Sequence, residues 1–217
     1  MADPVLYGAA YSVYVRAARL TLAEKGVAYR LIEIDIFAEG GPPAAYLARH
    51  PFRRIPAFEH DGFRLYETGA IVRYIDEVFA GPALMPTGPK PRARVNQVLG
   101  IADNYAYRSM VWGIFTECVR APASGKTGDA ALIESSLRNA EICLDALEDL
   151  ASAEGPALLA PNITLADIYL APMMCYFVMA EVGADKLARR AKLSRWWRWM
   201  QARPSMADTR SHLEQPS

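Results

Sequence analysis

The chain has 217 residues, of which 52% are hydrophobic and 22% are charged. That is enough to bury a sizeable core in one large or two small domains. Lys plus Arg and Asp plus Glu number 24 each, and no run of five like charges occurs. This balance argues against a nucleic-acid-binding surface and against a polybasic membrane patch.

The start of the chain and its cysteines bear on location. The first residues, MADPVLYGAAYS, lack the basic start and long apolar core of a signal peptide, and no apolar run reaches 18 residues. The widely spaced Cys118, Cys143 and Cys175 match no zinc-binding spacing and are typical of reduced, buried thiols. We therefore expect a cytoplasmic protein with no metal site.

Residues 1–80 are predicted to form the first domain. A short strand at 5–7 is followed by a helix over 12–25, which Gly26 can end, and by a second strand over 28–35. A Pro- and Gly-rich connection with at most a short helix then leads to a hairpin and a helix over 68–79. The first two strands should be parallel and the hairpin antiparallel, giving a four-stranded mixed sheet with helices on its faces.

The hairpin lies within RRIPAFEHDGFRLYETGAI, residues 53–71. Two short aromatic-containing runs flank Asp61-Gly62, a dipeptide suited to a tight turn, and Pro56 opens the first strand. The Ile55–Pro56 bond can be trans, since only about 5% of such bonds are cis, or it can be cis. A cis bond would turn the backbone polar groups of Ile55 outward, where they can pair with a ligand.

The second half of the chain is predicted to be helical. Residues 81–91 form a Gly- and Pro-rich linker, and residues 92–217 form the second domain. Its helices are expected at about 92–121, 129–152 and 165–181, with a short Trp-rich helix near the end. Thr164 and Asp167 are spaced as a capping box at the start of the third helix, and Pro172 should bend that helix.

A candidate binding site lies where the hairpin gives way to the next helix, at Glu67-Thr68. A helix N-terminus with a hydroxyl N-cap binds anions, so the N–H groups of Thr68 and Gly69 and the Thr68 hydroxyl can hold a carboxylate. The Glu67 side chain can neutralise an ammonium group beside it. This pairing fits the head group of an α-amino acid, and Ile55 can pair with the extended peptide that continues from it.

In combination these motifs resemble the glutathione S-transferases. Their thioredoxin-like N-terminal domain carries an x-V/I-P-A, hairpin, E-S/T-x-A-I signature, matched by residues 54–57 and 67–71. Their all-helical C-terminal domain carries a T-x-A-D box, matched by 164–167, and a closing W-x-x-x-x-A-R-P pattern is matched by 197–204. The resemblance covers residues 4–206 and implies this two-domain fold, glutathione as co-substrate and a cis Pro56.

The resemblance also implies a group that activates the glutathione thiol. The stretch YGAAYSVYVRAARLTLAEKG is similar to the serine-type, phi-like pattern S-x-x-x-R followed by L-x-x-x-x-E-K, with some positions shifted by one residue. Ser12 is therefore the first candidate, and its alternative role is a plain N-cap. Tyr7 occupies nearly the place of the catalytic tyrosine of other classes and is the second candidate. Ala10 argues against the cysteine-type class.

The remaining site residues are assigned by the same resemblance. Arg54 is a candidate for the glycine carboxylate or else a solvated surface residue, and Arg16 is expected to support the first helix through a buried ion pair. An apolar electrophile pocket is expected between the domains. Its candidate walls, each of which can instead belong to the core, are Tyr11, Tyr14, Tyr105, Arg108, Met110, Val111, Trp112 and Phe115.

The predicted function is addition of the glutathione thiolate to small hydrophobic electrophiles. The alternatives are a glutathione-binding or interaction protein of the same fold without turnover, and a glutathione-dependent isomerase or dehalogenase. A homodimer is expected, with Phe52 inserted into the partner's helical domain as in several classes of the family, unless Phe52 folds under its own loop.

Overall fold

The computed structural model describes residues 3–159 and 161–214. Contacts divide the described chain into two compact units. Unit 1 runs to Met85 and also includes the segment from Arg203 onward, and unit 2 is Pro86–Ala202. The division falls inside the predicted linker. The segment from Arg203 onward was assigned to the helical domain, whereas its contacts place it in unit 1.

Unit 1 contains the expected four-stranded mixed sheet. Its strands are β1 (Val5–Tyr7), β2 (Arg30–Ile32), β3 (Ala57–His60) and β4 (Phe63–Tyr66). Their order is β2-β1-β3-β4, with β1 and β2 parallel and the other neighbouring pairs antiparallel. The second strand is shorter than predicted, because only three residues pair with the three of β1.

Three helices accompany this sheet: α1 (Val13–Glu24), α2 (Ala44–Leu47) and α3 (Thr68–Val78). Gly26 follows α1 with a φ of +68°, the left-handed conformation expected of a helix-ending glycine. Helices α1 and α3 pack against each other, and Leu6, Phe58 and Ile71 belong to the buried core of this unit. The result is the thioredoxin-like arrangement that the resemblance implied.

The segment from Arg203 onward is held on α1 by polar contacts. It contains α10 (Pro204–Asp208) and a 3-10 turn at His212–Glu214. Arg16 forms an ion pair with Glu214 at 2.7 Å and donates to the Met206 carbonyl at 2.9 Å. Arg203 donates two hydrogen bonds to Glu24 at 2.9 and 2.6 Å. Arg16 therefore lies in the buried ion pair that was expected, and its partner is in the last described turn.

Unit 2 is helical, as predicted. Its first helix starts as α4 (Pro89–Ile101), continues as the wider π-helical segment Ala102–Arg120 and ends in α5 (Ala121–Ala123). The others are α6 (Ala130–Leu150), α7 (Leu165–Phe177), α8 (Glu181–Ala188) and α9 (Ala191–Gln201). The third predicted helix thus ends at Phe177, about four residues earlier than expected, with Pro172 inside it, and α8 was not predicted.

The π-helical segment differs from an α-helix in the span of its hydrogen bonds. The Ala121 N–H donates to the carbonyl of Thr116, five residues back, and the Thr116 hydroxyl donates to the carbonyl of Val111. In an α-helix the corresponding backbone bond spans four residues. Because each turn contains more residues, the spacing of side chains that share a face differs from that of an α-helix.

The start of α7 carries the predicted capping box. The buried carboxylate of Asp167 accepts hydrogen bonds from the Thr164 N–H, the Thr164 hydroxyl and the Leu158 N–H at 2.7 to 2.8 Å. A fourth comes from Trp196 Nε1 at 2.9 Å, which links α7 to α9. Burial raises the pKa of this carboxyl, and the four hydrogen bonds act in the opposite direction.

Candidate functional site

Three segments with candidate residues meet at one edge of the sheet in unit 1. Tyr7, the last residue of β1, pairs with Ala57, and Ala57 pairs with Tyr66, the last residue of β4. The turn from β1 to α1, the residues just before β3 and the start of α3 therefore share this edge. These segments carry Ser12, the Ile55–Pro56 bond and Glu67-Thr68.

Gly8 allows two of these segments to pack closely. Its φ is +153°, and a Cβ atom built on it would lie 2.4 Å from Val15 Cγ2 and 3.3 Å from Ile55 Cβ. Any side chain at this position would therefore displace Val15 or Ile55. The absence of a side chain places the turn that leads to Ser12 directly beside Ile55.

The Ile55–Pro56 peptide bond is cis, as the resemblance implied. Within the described part of the chain, no hydrogen bond occupies the backbone N–H or carbonyl of Ile55. The preceding carbonyl, that of Arg54, accepts a hydrogen bond from the buried Tyr46 hydroxyl at 2.7 Å. Tyr46 thus fixes the backbone that enters Ile55, and burial raises the pKa of its phenol strongly.

The start of α3 differs in one detail from the expectation. The N-cap residue is Glu67, and the buried Thr68 is the first residue of the helix, so the predicted hydroxyl N-cap is corrected by one position. Glu67 has a φ of +69°, in the region that non-glycine residues rarely adopt. Such a conformation is found preferentially at binding and active sites. The N–H groups of Thr68 and Gly69 lie in the first turn, where an α-helix leaves N–H groups unsatisfied.

Ser12 is the N-cap of α1. Its Oγ accepts a long hydrogen bond of 3.4 Å from the Val15 N–H. Among the described residues its hydroxyl hydrogen has no acceptor, so the group can cap the helix and still donate to a ligand. The first turn of α1 contains no acidic residue, and the positive end of the helix dipole is not neutralised there.

Tyr7 is placed differently. Its ring is buried, lies 6.4 Å from the ring of Tyr46 and is covered by the Arg49 guanidinium at 4.6 Å. Its hydroxyl lies 3.5 Å from Oε2 of Glu59. Glu59 pairs with Val5, so this hydroxyl points along the sheet away from the edge that carries Ser12.

The loop between α2 and β3 carries three further residues of interest. Arg54 is exposed. Phe52 is 66% exposed, and its ring contacts His50 and Tyr66 at centroid distances of 6.3 and 6.0 Å. His50 is buried beneath this pair.

The two tyrosines predicted from the first domain flank Ser12 in the chain. Tyr11 donates a hydrogen bond to Asp35 at 2.7 Å, and its ring stacks on Phe37 at 6.2 Å. Tyr14 lies in the first turn of α1 and is partly buried. Tyr11, Asp35 and Phe37 form a small cluster next to the N-terminus of α1.

The pocket candidates on the π-helical segment are not brought together. Met110 and Val111 are buried, and Phe115 is 2% exposed and stacked on Tyr176 at 4.2 Å, so these three belong to the core of unit 2. Trp112 is partly exposed and contacts Tyr107 edge to face at 6.4 Å. Tyr105 and Arg108 line a different feature.

That feature is a groove of about 640 Å³ within unit 2, between the π-helical segment and α6. Apolar side chains on its rim are strongly exposed, with Tyr105 at 62% and Ile142 at 67%. Leu132 and the buried Cys143 also line it.

Metal-ligand groups and membrane-spanning helices are both absent from the described residues. No group of three or more His, Cys, Asp or Glu side chains there is placed to hold a metal ion. None of the helices in those residues combines the length and apolar character needed to cross a bilayer.

Two residues of this site were not found from the sequence. Tyr46 and His50 lie on and just after α2, in a segment predicted only as a connection. No motif marks them, because their importance comes from residues 8 to 17 positions away: Tyr46 contacts Arg54, and His50 contacts Tyr66 and is influenced by the charge of Glu67.

Comparison with known proteins gives the same result for both halves of the chain. Residues 6–83 match the family model described as the glutathione S-transferase N-terminal domain, and residues 130–202 match that of the C-terminal domain. Glutathione S-transferase F11 of Arabidopsis thaliana is 29% identical over 202 residues, covering 92% of this chain and 94% of its own.

Solved structures of glutathione transferases also resemble this chain over nearly its whole length. Glutathione S-transferase III in its apo form superposes with a TM-score of 0.85 at 26% identity, covering 100% of this chain and 99% of its own. Glutathione transferase F7 of Populus trichocarpa gives a TM-score of 0.82 at 26% identity, covering 95% and 97%. Because both domain models match in order and the relatives align over nearly their whole length, this chain belongs to the glutathione S-transferase family.

Proposed function

We propose that this protein is a glutathione transferase that adds the glutathione thiolate to small hydrophobic electrophiles. The observation that carries the proposal is the convergence, at one sheet edge, of a helix-capping hydroxyl, an unpaired backbone beside a cis proline and an acidic residue at a helix start. Each is suited to a different part of one tripeptide.

In this proposal the peptide is held mainly by backbone groups. The N–H groups of Thr68 and Gly69 bind the α-carboxylate of the γ-glutamyl residue, and Glu67 neutralises its ammonium group. The backbone of Ile55 pairs with the cysteinyl residue, and the exposed Arg54 binds the glycine carboxylate.

Ser12 is proposed to stabilise the thiolate by donating its hydroxyl hydrogen to the sulfur. Lowering a thiol pKa from about 8.5 to about 6.5 raises the thiolate fraction at pH 7 from roughly 3% to roughly 75%. Because the weaker base is also a weaker nucleophile, the net gain is only about threefold. Most of the acceleration must then come from holding the electrophile beside the sulfur.

The walls of the electrophile pocket are proposed mainly from aromatic residues that are at least partly exposed. Tyr11 and Tyr14 lie next to Ser12 in the chain, and Trp112 is partly exposed on unit 2. Tyr105 and Arg108 line the groove and are candidates both for this pocket and for the dimer contact described below. Replacing Trp112 or Tyr105 with Ala and measuring KM for the electrophile separates these roles, because only a wall residue raises it in the dimeric protein.

A turnover assay with a chloronitrobenzene-type acceptor, run beside a glutathione-affinity measurement, tests the function. Wild type should bind glutathione and form the conjugate, and Glu67→Gln should weaken binding. Binding without turnover on several acceptors would instead indicate a glutathione-binding protein. Binding with turnover only on isomerase or dehalogenase substrates would reassign the reaction.

A homodimer is proposed in which Phe52 of each copy enters the groove of the other. An exposed phenylalanine of this kind is unusual on a monomer when it lies in an aromatic patch, here with His50 and Tyr66. The groove rim offers the exposed Tyr105 and Ile142 as apolar partners. A two-fold symmetric dimer would contain this contact between Phe52 and the groove twice. Two-fold dimers are the commonest form of soluble oligomer.

The cysteines support a proposed cytoplasmic location. None of the three forms a disulfide within the described residues; Cys143 is buried and the other two are partly buried, so only one of them is as buried as expected. Burial raises the thiol pKa of Cys118 and Cys143. Cysteines without disulfides are typical of a reducing compartment.

A further inference from the structure

His50 has a buried polar atom without a partner. His50 is 2% exposed, and its Nδ1 forms no hydrogen bond with any described residue. The ring lies 5.0 Å from that of Tyr66 at an angle of 38°. Buried polar atoms are nearly always hydrogen-bonded, so an exception in a native fold calls for an explanation.

Two charged residues lie close enough to act on His50. Burial lowers the pKa of its imidazole, the Glu67 carboxylate raises it, Arg54 lowers it, and a contact with the residue's own backbone raises it slightly. The ring is therefore neutral at neutral pH. The ring lies against that of Tyr66, which directly precedes Glu67, and His50 is four residues before Arg54 in the chain.

Glu67 is unpaired as well. Its backbone is fixed by two hydrogen bonds from Ala70 and Ile71 to its carbonyl, whereas its exposed side chain makes no hydrogen bond or ion pair within the described residues. A carboxylate that binds an ammonium group does so best when its side-chain conformation is fixed. A hydrogen bond from a nearby buried donor can fix it, because a hydrogen bond to a carboxylate is stronger than one between neutral groups.

We propose that His50 is a positioning residue of the glutathione site, whose unpartnered Nδ1–H forms a hydrogen bond with the Glu67 carboxylate when that carboxylate receives the ammonium group of the γ-glutamyl residue. The inference rests on the proposed function, since it concerns the same site. It assigns to His50 the discrimination between glutathione and an otherwise identical peptide that lacks the α-amino group.

A dependence on pH follows from this arrangement. As the pH falls below 6.5, the ordinary pKa of histidine, and through the lower pKa of His50, the ring acquires a positive charge. A charged His50 competes with the ammonium group for Glu67, and Arg54 adds to the positive charge nearby. Glutathione affinity of wild type should therefore decrease on acidification.

Titration calorimetry with glutathione and its deamino analogue, in which hydrogen replaces the α-amino group, tests the proposal. His50→Phe keeps a ring against Phe52 and Tyr66 but removes the donor, whereas His50→Asn keeps a donor near the position of Nδ1. We expect His50→Phe to weaken glutathione binding about tenfold, as for loss of a charge-assisted hydrogen bond, and to leave the analogue within about twofold. His50→Asn should restore most of the affinity.

The double variant His50→Phe/Glu67→Gln should be no weaker than Glu67→Gln alone, because His50 acts through Glu67. Equal losses for glutathione and the analogue, or unchanged binding of both, would overturn the role of His50 while leaving the proposed function intact. Failure of wild type to bind glutathione would overturn both. If His50→Phe does not fold, a wild-type glutathione affinity that stays constant between about pH 5 and 7 overturns the proposal by itself.

Discussion

Two hydroxyl groups near the start of the chain are candidates to activate the thiol, and their surroundings differ. The Ser12 hydroxyl lies at the positive end of α1 and has a hydrogen to donate. The Tyr7 hydroxyl is directed to Glu59, within a ring cluster with Tyr46 and Arg49. These contacts favour Ser12.

Replacing Ser12 with Ala should therefore raise the pH at which the conjugation rate increases by about one to two pH units, because a hydrogen bond to a charged group is lost. Glutathione affinity should stay within a few fold, since Ile55, Glu67 and Thr68 still hold the peptide. Ser12→Thr keeps both the hydroxyl and the cap and serves as the control.

The rate profile of Tyr7→Phe completes this test. We expect it to follow that of wild type. A large upward shift in Tyr7→Phe with Ser12→Ala near wild type would identify Tyr7 as the activating residue. A small loss in both would point to backbone N–H groups.

Arg16 illustrates a residue whose role is to hold the site element in place. Its buried guanidinium joins α1, which Ser12 caps, to the last described turn through Glu214. Replacing Arg16 with Met removes the guanidinium from this buried ion pair with Glu214, so the free energy of unfolding should fall by about 3 kcal/mol or more. Urea unfolding followed by circular dichroism measures this. Arg30→Met, an exposed change on β2, should stay within about 0.5 kcal/mol, and equal midpoints for the two variants would contradict the assignment.

At the scale of elements, the start of α7 depends on one carboxylate. Asp167 satisfies four donors, two of them from Thr164 and one from Trp196 of α9. Asn has the same shape but turns an NH2 group towards two of these donors. We expect Asp167→Asn to lower the free energy of unfolding by about 2 to 4 kcal/mol. Asp149→Asn, on the exposed side of α6, should change Tm by no more than about 2 °C, and the same small change at Asp167 would show that the box is dispensable.

The π-helical segment shows why helix faces could not be assigned in advance. The candidate pocket residues from Tyr105 to Phe115 lie in one stretch of sequence, and their spacing does not follow a single helical period. In the structure Phe115 faces the core, Tyr105 lines the groove, and Trp112 does neither. Hydrogen bonds that span five residues rotate each successive side chain differently from those of an α-helix.

At the scale of the whole molecule, the proposed dimer predicts opposite results for two phenylalanine variants. Phe52→Ala should give a monomer in sedimentation velocity at micromolar concentration, because it removes the side chain that enters the groove. Phe63 is also exposed, at 50%, but its ring lies against Tyr74 at 5.3 Å and outside the aromatic patch of Phe52, so Phe63→Ala should stay dimeric. Ile142→Glu, which places a charge on the groove rim, should behave as Phe52→Ala does. A monomeric wild type would end the dimer proposal.

The sequence by itself determined the order of strands and helices in unit 1, the hairpin at Asp61-Gly62 and the capping box at Thr164. These features rest on local rules: turn residues, caps and the period of apolar residues act over a few positions. It also determined the family, because the motifs around Pro56, Glu67 and Thr164 occur together at fixed spacing.

Only the tertiary structure decided which side chains meet. It placed Tyr46 under the Arg54 carbonyl, His50 against Tyr66 and the segment from Arg203 onward against α1. It also separated Tyr7 from Ser12, although the two are five positions apart. Contacts of this kind depend on burial and on the direction of each side chain after the elements have packed, and neither leaves a signal in local spacing.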